Sequence, residues 1–212
     1  MIIDVWSDVV CPWCFIGRRR LQKAISSAGA QAQITVRHRA FQLNPAADET
    51  VPTSELLAQK YRMSSADVDT MQAQVCTIAD GEGLCYNLSD TLSGNTRDAH
   101  RLLLWAETID VQDQLLEAMY SAYFEKQIEI FSHESLLGIV ESVGISVSDA
   151  TAVLQSDEYS QQVDIDQSQA QQFGANGVPF YVVDMKYGIS GAQPQEAFDA
   201  TLAKALVEFA RN

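Results

Sequence analysis

The N-terminal part of the chain shows two kinds of hydrophobic pattern in succession. The run at 2–7 is short and mostly apolar, which is typical of a buried strand. Between positions 15 and 25 the apolar residues share one broad face of a helix, and Gly29 follows as a helix stop. Positions 33–40 then alternate with period two, as a half-buried strand does. We therefore predict a β-α-β unit over roughly the first 40 residues.

The middle of the chain is almost wholly helical in pattern, because apolar residues recur about every 3.6 positions. Helices are predicted at 53–63, 65–80, 95–109, 111–126, 133–143 and 148–173. Serine and other capping residues stand at several of the predicted starts, and Gly144 stands at one of the stops. This part of the chain is therefore predicted to be an all-helical insertion.

Strand pattern returns only near the C-terminus. Two strands are predicted at 179–184 and 186–190, with a tight turn at 185–186, and a final amphipathic helix follows Pro194. The order β-α-β, helical block, helix, β-β and helix predicts an α/β protein, a thioredoxin fold with a large all-helical insertion. The predicted parts are an N-terminal β-α-β part at 1–45, a helical insertion domain at 46–160 and a C-terminal α-β-β-α part at 161–212.

The composition of the chain excludes some classes of partner but says little about the fold. The 212 residues are 47% hydrophobic and 20% charged, as in an ordinary globular protein. The formal net charge of −14 argues against nucleic acid or an anionic membrane as a partner. The N-terminal residues lack the pattern of a signal peptide, and no run approaches the ~20 apolar residues of a membrane span. We therefore expect a cytoplasmic protein, either a monomer or a homodimer.

The candidate chemistry lies in Cys11, Pro12, Trp13 and Cys14, between the first strand and the first helix. A sulfur at a helix N-terminus meets unpaired N–H groups and a dipole that favour an anion, and the thiolate is the nucleophile in disulfide exchange. Pro12 suits the first helical position because its missing N–H would have no partner there. We predict that Cys11, at the exposed end of the helix, attacks, and that Cys14, one turn inside, resolves.

A zinc site and two merely buried thiols are the alternatives to a redox site. A structural zinc site normally needs a second cysteine pair at similar spacing, whereas Cys76 and Cys85 are nine positions apart, so we predict no metal. For Cys76 and Cys85 themselves, a stabilising disulfide, a second redox pair and two buried free thiols all stay open.

Several basic residues follow the motif in the predicted β-α-β unit. Three arginines at 18–20 are interpreted as a solvated face of the first helix, although they could also lend positive potential to Cys11. His38, in the second strand, is interpreted as a partly buried histidine whose hydrogen bonds are satisfied.

Five separate motifs of the chain resemble motifs of one known family and occur in the same order along the sequence. The chain resembles the FrnE-type branch of the DsbA-like thioredoxin-fold oxidoreductases over nearly its whole length. The motifs are 11–17, 41–45, Asn95-Thr96 with 99–101, 177–180 and 191–194. The resemblance implies a redox-active disulfide and no other cofactor. It also implies that Val178-Pro179 is a cis-proline loop facing that disulfide, whose backbone at Val178 pairs with an extended substrate.

The sequence departs from the best-known members of that family at position 13. They carry histidine before the second cysteine, whereas this chain has Trp13, which offers a neutral donor and no positive charge. We therefore expect a redox potential between thioredoxin's roughly −270 mV and DsbA's roughly −120 mV.

The resemblance extends to a glutathione-dependent sister group, the kappa-class transferases and 2-hydroxychromene-2-carboxylate isomerases. These enzymes usually have serine in place of the first cysteine, so Cys11 favours thiol exchange with protein substrates or glutathione. Asn95 and His100 are candidates to line a glutathione cleft, although His100 could instead be a packing or helix-surface residue. A thioredoxin-fold accessory or chaperone-like protein without catalysis is the rival from another functional class.

Overall fold

The computed structural model, which describes residues 1–211, has a four-stranded mixed sheet at its centre. Its strands are β1 (Ile2–Ser7), β2 (Thr35–Ala40), β5 (Phe180–Val183) and β6 (Tyr187–Ser190), in the spatial order β2-β1-β5-β6. The first strand pairs parallel with β2 and antiparallel with β5, and β5 pairs antiparallel with β6. A separate pair of two-residue strands is formed by β3 (Val51–Pro52) and β4 (Leu92–Ser93).

The helices follow the predicted order. In chain order they are α1 (Pro12–Ser27), α2 (Thr53–Tyr61), α3 (Ser65–Gly81), α4 (Arg97–Thr108), α5 (Gln112–Phe124), α6 (His133–Ser142), α7 (Val147–Leu154), α8 (Ser160–Gln172) and α9 (Gln195–Phe209). Helices α2 to α8 lie between β2 and β5. The thioredoxin fold with a large helical insertion is thereby confirmed. The insertion is not all-helical as predicted, because β3 and β4 form a short antiparallel pair within it.

The first helix begins and ends where the sequence predicts. Cys11 has extended backbone angles, φ −91° and ψ 110°, and Pro12 takes the first helical position. Gly29 adopts a left-handed φ of 61° after the helix, a conformation that favours glycine. The sulfur of Cys11 is therefore attached to the residue that precedes the first helical turn.

The predicted helix at 148–173 is wrong, because the structure breaks it into α7 and α8. Tyr159 lies at the break with a left-handed φ of 64°. The guanidinium of Arg101, a buried residue of α4, donates hydrogen bonds to the carbonyl groups of Val153, Ser156 and Glu158. The Val153 carbonyl belongs to the last turn of α7, and the other two carbonyls lie in the segment between α7 and α8, so Arg101 holds this segment in place. Apolar spacing cannot reveal such a break, since its cause lies on another helix.

The hairpin turn also lies one residue earlier than predicted. Asp184 and Met185 both adopt positive φ, at 49° and 56°, and the Lys186 N–H donates to the Val183 carbonyl at 3.0 Å. Pairing of β5 with β6 is otherwise as expected.

The interior contains two large apolar clusters, and the cysteine motif belongs to one of them. Phe198 and Leu202 of α9 join Leu21 of α1 beneath the sheet. Cys11 and Cys14, by contrast, share a cluster with residues of α4, α5 and α6 in the insertion. The motif therefore lies where the sheet and the helical insertion meet. The boundaries at 45 and 160 stay a prediction.

Candidate active site

Cys11 and Cys14 lie in a tight turn that leads from β1 into α1. The Cys11 N–H donates to the carbonyl of Asp8 at 3.0 Å, and the Cys14 N–H donates to the Cys11 carbonyl at 2.9 Å. Both cysteines are free thiols in this structure. The turn therefore places the two sulfurs one helical turn apart on the same element.

Cys11 is not at an exposed end of the helix, contrary to the prediction. Its exposed fraction is 5%, against 2% for Cys14. The Cys11 thiol lies 3.5 Å from the Val178 carbonyl, and the Val178–Pro179 peptide bond is cis. The segment around Val178 therefore covers the sulfur from one side, whereas Trp13, 37% exposed, is the most open residue of the motif.

The electrostatics of the site separate the two cysteines. Burial raises the pKa of Cys14 well above that of a free thiol, and a hydrogen bond and the charge of Cys11 raise it further. A backbone hydrogen bond from Asp8 offsets only part of this rise. Cys14 is therefore held in its thiol form, whereas Cys11 precedes the first turn of α1, where the helix dipole favours an anion.

A stack of aromatic rings supports the motif from the side of the insertion. Phe15 stacks on Tyr120 at 4.8 Å and on Tyr86 at 6.2 Å between ring centroids, and Tyr86 stacks on Phe124 at 4.9 Å. The Tyr86 hydroxyl donates to the Pro12 carbonyl at 2.7 Å. Burial, followed by the charges of Cys11 and Cys14, raises the pKa of Tyr86. Sequence analysis did not identify Tyr86, because it follows α3 in an irregular stretch without a motif.

His100 forms a buried pair with Asp8, a residue that sequence reasoning missed. His100 Nε2 lies 3.3 Å from Asp8 Oδ1, and both side chains are buried. The other carboxylate oxygen of Asp8 accepts the Leu43 N–H at 2.7 Å. His100 is therefore not a helix-surface residue; it contacts the turn that carries Cys11.

Asn95 holds the loop after β2 against the start of α4. Its Oδ1 accepts hydrogen bonds from the Gln42 side chain at 2.8 Å and from the Arg97 N–H at 2.9 Å. Its Nδ2 donates to the carbonyls of Pro45 and Ala47 at 3.2 and 3.3 Å. The side-chain amide of Asn95 is therefore engaged within the chain on both its atoms.

The arginines at 18–20 are not a solvated face, and this interpretation is wrong. Arg18 is only 7% exposed and forms ion pairs with Asp113 at 2.6 Å and Glu117 at 3.0 Å. Arg19 also pairs with Glu117, and Arg20 pairs with Glu82 at 2.7 Å. The partners of all three lie in the helical insertion or at the end of α3, so these arginines connect the cysteine helix to the insertion.

Cys76 and Cys85 are both free thiols, and they differ in burial. Cys76 is partly buried in α3, where burial raises its pKa, whereas Cys85 is exposed. The alternative of two buried thiols is therefore wrong for Cys85. Within residues 1–211, no three His, Cys, Asp or Glu side chains are grouped as metal ligands would be. In the same part of the chain, no helix combines the length and the apolar composition that crossing a membrane requires.

A family model described as the DSBA-like thioredoxin domain matches residues 2–203 of the chain. The chain belongs to this family. A probable DsbA oxidoreductase from Streptomyces coelicolor is 36% identical, with a TM-score of 0.94 over 98% of this chain and 91% of that chain. The resemblance to the DsbA-like oxidoreductases, predicted from five motifs, is thereby confirmed at the level of the family. No curated protein sequence matches the chain.

Two more distant structures of this fold carry different activities in their names. One is 2-hydroxychromene-2-carboxylate isomerase, 18% identical, with a TM-score of 0.72 over 100% of this chain and 98% of that chain. The other is the cytosolic disulfide reductase DsbM from Pseudomonas aeruginosa with GSH, 16% identical, with a TM-score of 0.68 over 97% and 99%. At these identities the likeness extends to the fold alone.

Proposed function

We propose that this protein is a dithiol–disulfide oxidoreductase in which Cys11 attacks and Cys14 resolves. The observation that carries the proposal is the contrast between the two sulfurs. Cys11 precedes the first turn of α1, the end at which the helix dipole favours an anion, whereas burial raises the pKa of Cys14 and favours its thiol form. Because thiolates attack disulfides and thiols do not, the two cysteines differ in reactivity.

In the reducing direction, the Cys11 thiolate attacks one sulfur of a substrate disulfide, and the other substrate sulfur leaves as a thiolate. Cys14 then loses its proton and attacks Cys11 Sγ, which breaks the mixed disulfide and releases the second substrate sulfur. Two electrons have passed to the substrate, whose thiolates take up protons, and Cys11 and Cys14 share a disulfide. The oxidising direction is the reverse of these steps.

Residues on both sides of Cys11 are proposed to contact the substrate. Trp13 and Pro12 would contact it from the motif, and Val178 and Pro179 from the opposite side. The Val178 carbonyl lies 3.5 Å from Cys11 Sγ, so a peptide extended along this segment would bring its own sulfur to Cys11.

Protein thiols and disulfides, or glutathione as a co-substrate, are the substrate classes in this proposal, with no further cofactor. The distant neighbour DsbM is a cytosolic reductase with GSH, which supports glutathione and a cytosolic location as parts of the proposal. The FrnE-type assignment rests on the five motifs. The thiol at position 11 favours exchange over glutathione-dependent isomerisation or transfer, for which the resemblance implies serine there.

Reduction of insulin by dithiothreitol tests the proposal. The wild type should accelerate it, Cys11→Ser should abolish the acceleration, and Cys14→Ser should abolish turnover while retaining substrates in mixed disulfides visible on non-reducing gels. Cys85→Ser is the matched control, because that thiol is exposed and lies outside the motif.

A wild type without turnover would refute the enzymatic proposal and favour the accessory class. Equal trapping of substrates by Cys11→Ser and Cys14→Ser would refute the division of labour between the two sulfurs.

A further inference from the structure

The side chain of Tyr86 reaches the backbone of the cysteine motif from the helical insertion. Its hydroxyl donates to the carbonyl of Pro12 at 2.7 Å, and Pro12 lies between the two cysteines. Among the residues that the structure describes, Tyr86 is the one side chain that donates a hydrogen bond to a backbone carbonyl of the motif. The steps of the proposed exchange reaction do not themselves use this hydroxyl.

Contacts with α1 and α5 hold Tyr86 in this position. Its ring is stacked on Phe15 of α1 and on Phe124 of α5, with interplanar angles of 20° and 22°. The N–H of Asn87, the next residue in the chain, donates to the Phe124 carbonyl at 2.6 Å. Ring and backbone are both attached to neighbouring helices, so the hydroxyl is positioned before any substrate binds.

The hydroxyl of Tyr86 stays protonated and therefore remains a donor. Burial raises the pKa of Tyr86, and the charges of Cys11 and Cys14 raise it further. The charge of Glu125 acts in the same direction, and that of Arg19 opposes it. Both sulfurs therefore lie within electrostatic range of this hydroxyl, whose single hydrogen is used in the bond to the motif.

The Pro12 carbonyl belongs to a peptide unit in the first turn of α1. A carbonyl has two lone pairs, so the hydroxyl of Tyr86 can bind in addition to the hydrogen bond of the helix itself. A hydrogen bond donated to a carbonyl polarises the peptide unit and increases its dipole, whose positive end points toward the helix start. Because Cys11 precedes this turn, the hydroxyl favours an anion at Cys11 by way of the backbone.

We propose that Tyr86 is a positioning residue that stabilises the Cys11 thiolate by orienting and polarising the peptide unit between Pro12 and Trp13. The inference rests on the proposed thiol–disulfide exchange, in which this thiolate attacks. In this scheme Tyr86 exchanges no proton and forms no covalent bond. Loss of its hydroxyl therefore changes how much thiolate is present, and the sequence of steps stays the same.

The basic residues near α1 do not supply this hydrogen bond. Arg18 Nη1 lies 3.3 Å from His38 Nε2, and Asp113 Oδ1 lies 2.6 Å from the first and 3.2 Å from the second. His38 Nδ1 is buried and has no hydrogen-bond partner within residues 1–211, so the interpretation of His38 as a satisfied histidine is wrong. In the described part of the chain, neither Arg18 nor His38 donates to the motif, which leaves this role to Tyr86.

The pH profile of Cys11 alkylation tests the proposal without any disulfide substrate. Iodoacetamide reacts with thiolates and not with thiols, and peptide mapping by mass spectrometry identifies the modified cysteine. We expect Tyr86→Phe to slow alkylation of Cys11 about two- to fivefold at about pH 6, the typical effect of one interaction between an anion and a helix start. The two rates should converge toward about pH 10, where thiols ionise without such help.

Equilibration with glutathione measures the consequence for the redox couple. The reduced protein carries the thiolate and the oxidised protein does not, so loss of the hydroxyl removes a stabilisation of the reduced form alone. At pH 7 the equilibrium of Tyr86→Phe should therefore shift toward the disulfide of Cys11 and Cys14, by about the same factor as the alkylation rate. A wild type that does not exchange with glutathione would refute the proposed function, whereas the alkylation profiles would still decide the role of Tyr86.

Tyr123→Phe is the matched control, because it also removes a hydroxyl that donates to a backbone carbonyl, that of Leu92 within the insertion. It should leave both the alkylation profile and the glutathione equilibrium unchanged, and urea unfolding checks that each variant is folded. An unchanged alkylation profile in folded Tyr86→Phe would overturn the proposal. Equal slowing at every pH would overturn it as well, since that would indicate altered access to the sulfur, and so would the same shift in Tyr123→Phe.

Discussion

Trp13 is the residue of the motif best suited to a substitution that tests the redox potential, because it is exposed close to Cys11 in sequence and carries no charge. We expect Trp13→His to raise the redox potential by about 30 mV or more, since an imidazole adds a donor and potential positive charge that stabilise the thiolate of the reduced form. Equilibration with glutathione buffers of known potential measures the change. Ile165→His, at an exposed position on α8, is the control. Equal potentials in Trp13→His and the control would show that position 13 does not influence the sulfur.

The cysteines and their neighbours differ in how far sequence could predict them. A Cys-x-x-Cys between a strand and a helix start determines where both sulfurs lie relative to the backbone, so Cys11 and Cys14 could be assigned roles. The local pattern did not reveal the burial of Cys11, because the sulfur is covered by the segment around Val178, which only the family resemblance placed opposite the disulfide. The role of Asp8 could likewise not be predicted, because its buried partner His100 is 92 positions away in the sequence. Contacts of this kind leave no local pattern.

The contact between α1 and the segment before β5 depends on Gly17. A Cβ at this position would lie 2.2 Å from the Tyr181 hydroxyl and 3.2 Å from Pro179 Cγ. Because Tyr181 is fully buried, it has little room to move, and Gly17→Ala should cost about 1–3 kcal/mol of unfolding free energy. It should also slow insulin reduction by displacing the segment that contacts Cys11. Urea unfolding and the turnover assay measure the two effects.

Gly138→Ala provides the matched control for this prediction. Gly138 lies in α6 with no atom within 4 Å of the added Cβ. Alanine is a better helix former than glycine, so this variant should be more stable than the wild type by about 0.5–1 kcal/mol and equally active. If Gly17→Ala behaved in the same way, the close packing of α1 against Tyr181 would be wrong.

Helix starts were easier to predict than helix breaks. Ser64, Ser132 and Ser146 accept hydrogen bonds from backbone N–H groups at the starts of α3, α6 and α7, as their positions in sequence suggested. The break between α7 and α8 was missed because the segment at the break is held by hydrogen bonds from Arg101, which lies on α4. A start is encoded locally, whereas this break is encoded by tertiary contact.

At the scale of the whole molecule, ion pairs add to the apolar contacts that connect α1 to the insertion. The excess of acidic residues was used only to exclude classes of partner, yet Glu82, Asp113 and Glu117 each pair with a basic residue of α1. Glu82 pairs with both Arg20 and Lys23, and Arg20 also donates to the Ala192 carbonyl at 2.7 Å. The end of α3, the cysteine helix and the segment after β6 therefore meet at Arg20.

This arrangement predicts a specific acid sensitivity. Burial alone would raise the pKa of Glu82, but hydrogen bonds from Lys23 and Arg20 outweigh it, and the pKa is lowered. A carboxylate with a lowered pKa in the folded state stabilises the fold above its unfolded pKa of about 4.3, and this contribution is lost as the pH falls through the folded value. Glu82→Gln should therefore reduce the unfolding free energy at pH 7 by about 1–2 kcal/mol and make it less dependent on pH below about 5.

Urea unfolding at pH 7 and at about pH 4 measures both effects. Glu141→Gln, at an exposed residue of α6, is the control and should reproduce the wild type at both pH values. Because Glu82 lies away from the sulfurs, the second-order reaction of Cys11 with oxidised glutathione should be unchanged in Glu82→Gln at pH 7. An equal loss of stability between pH 7 and pH 4 in Glu82→Gln and the wild type would show that the Glu82 pairs do not connect α1 to the insertion in solution.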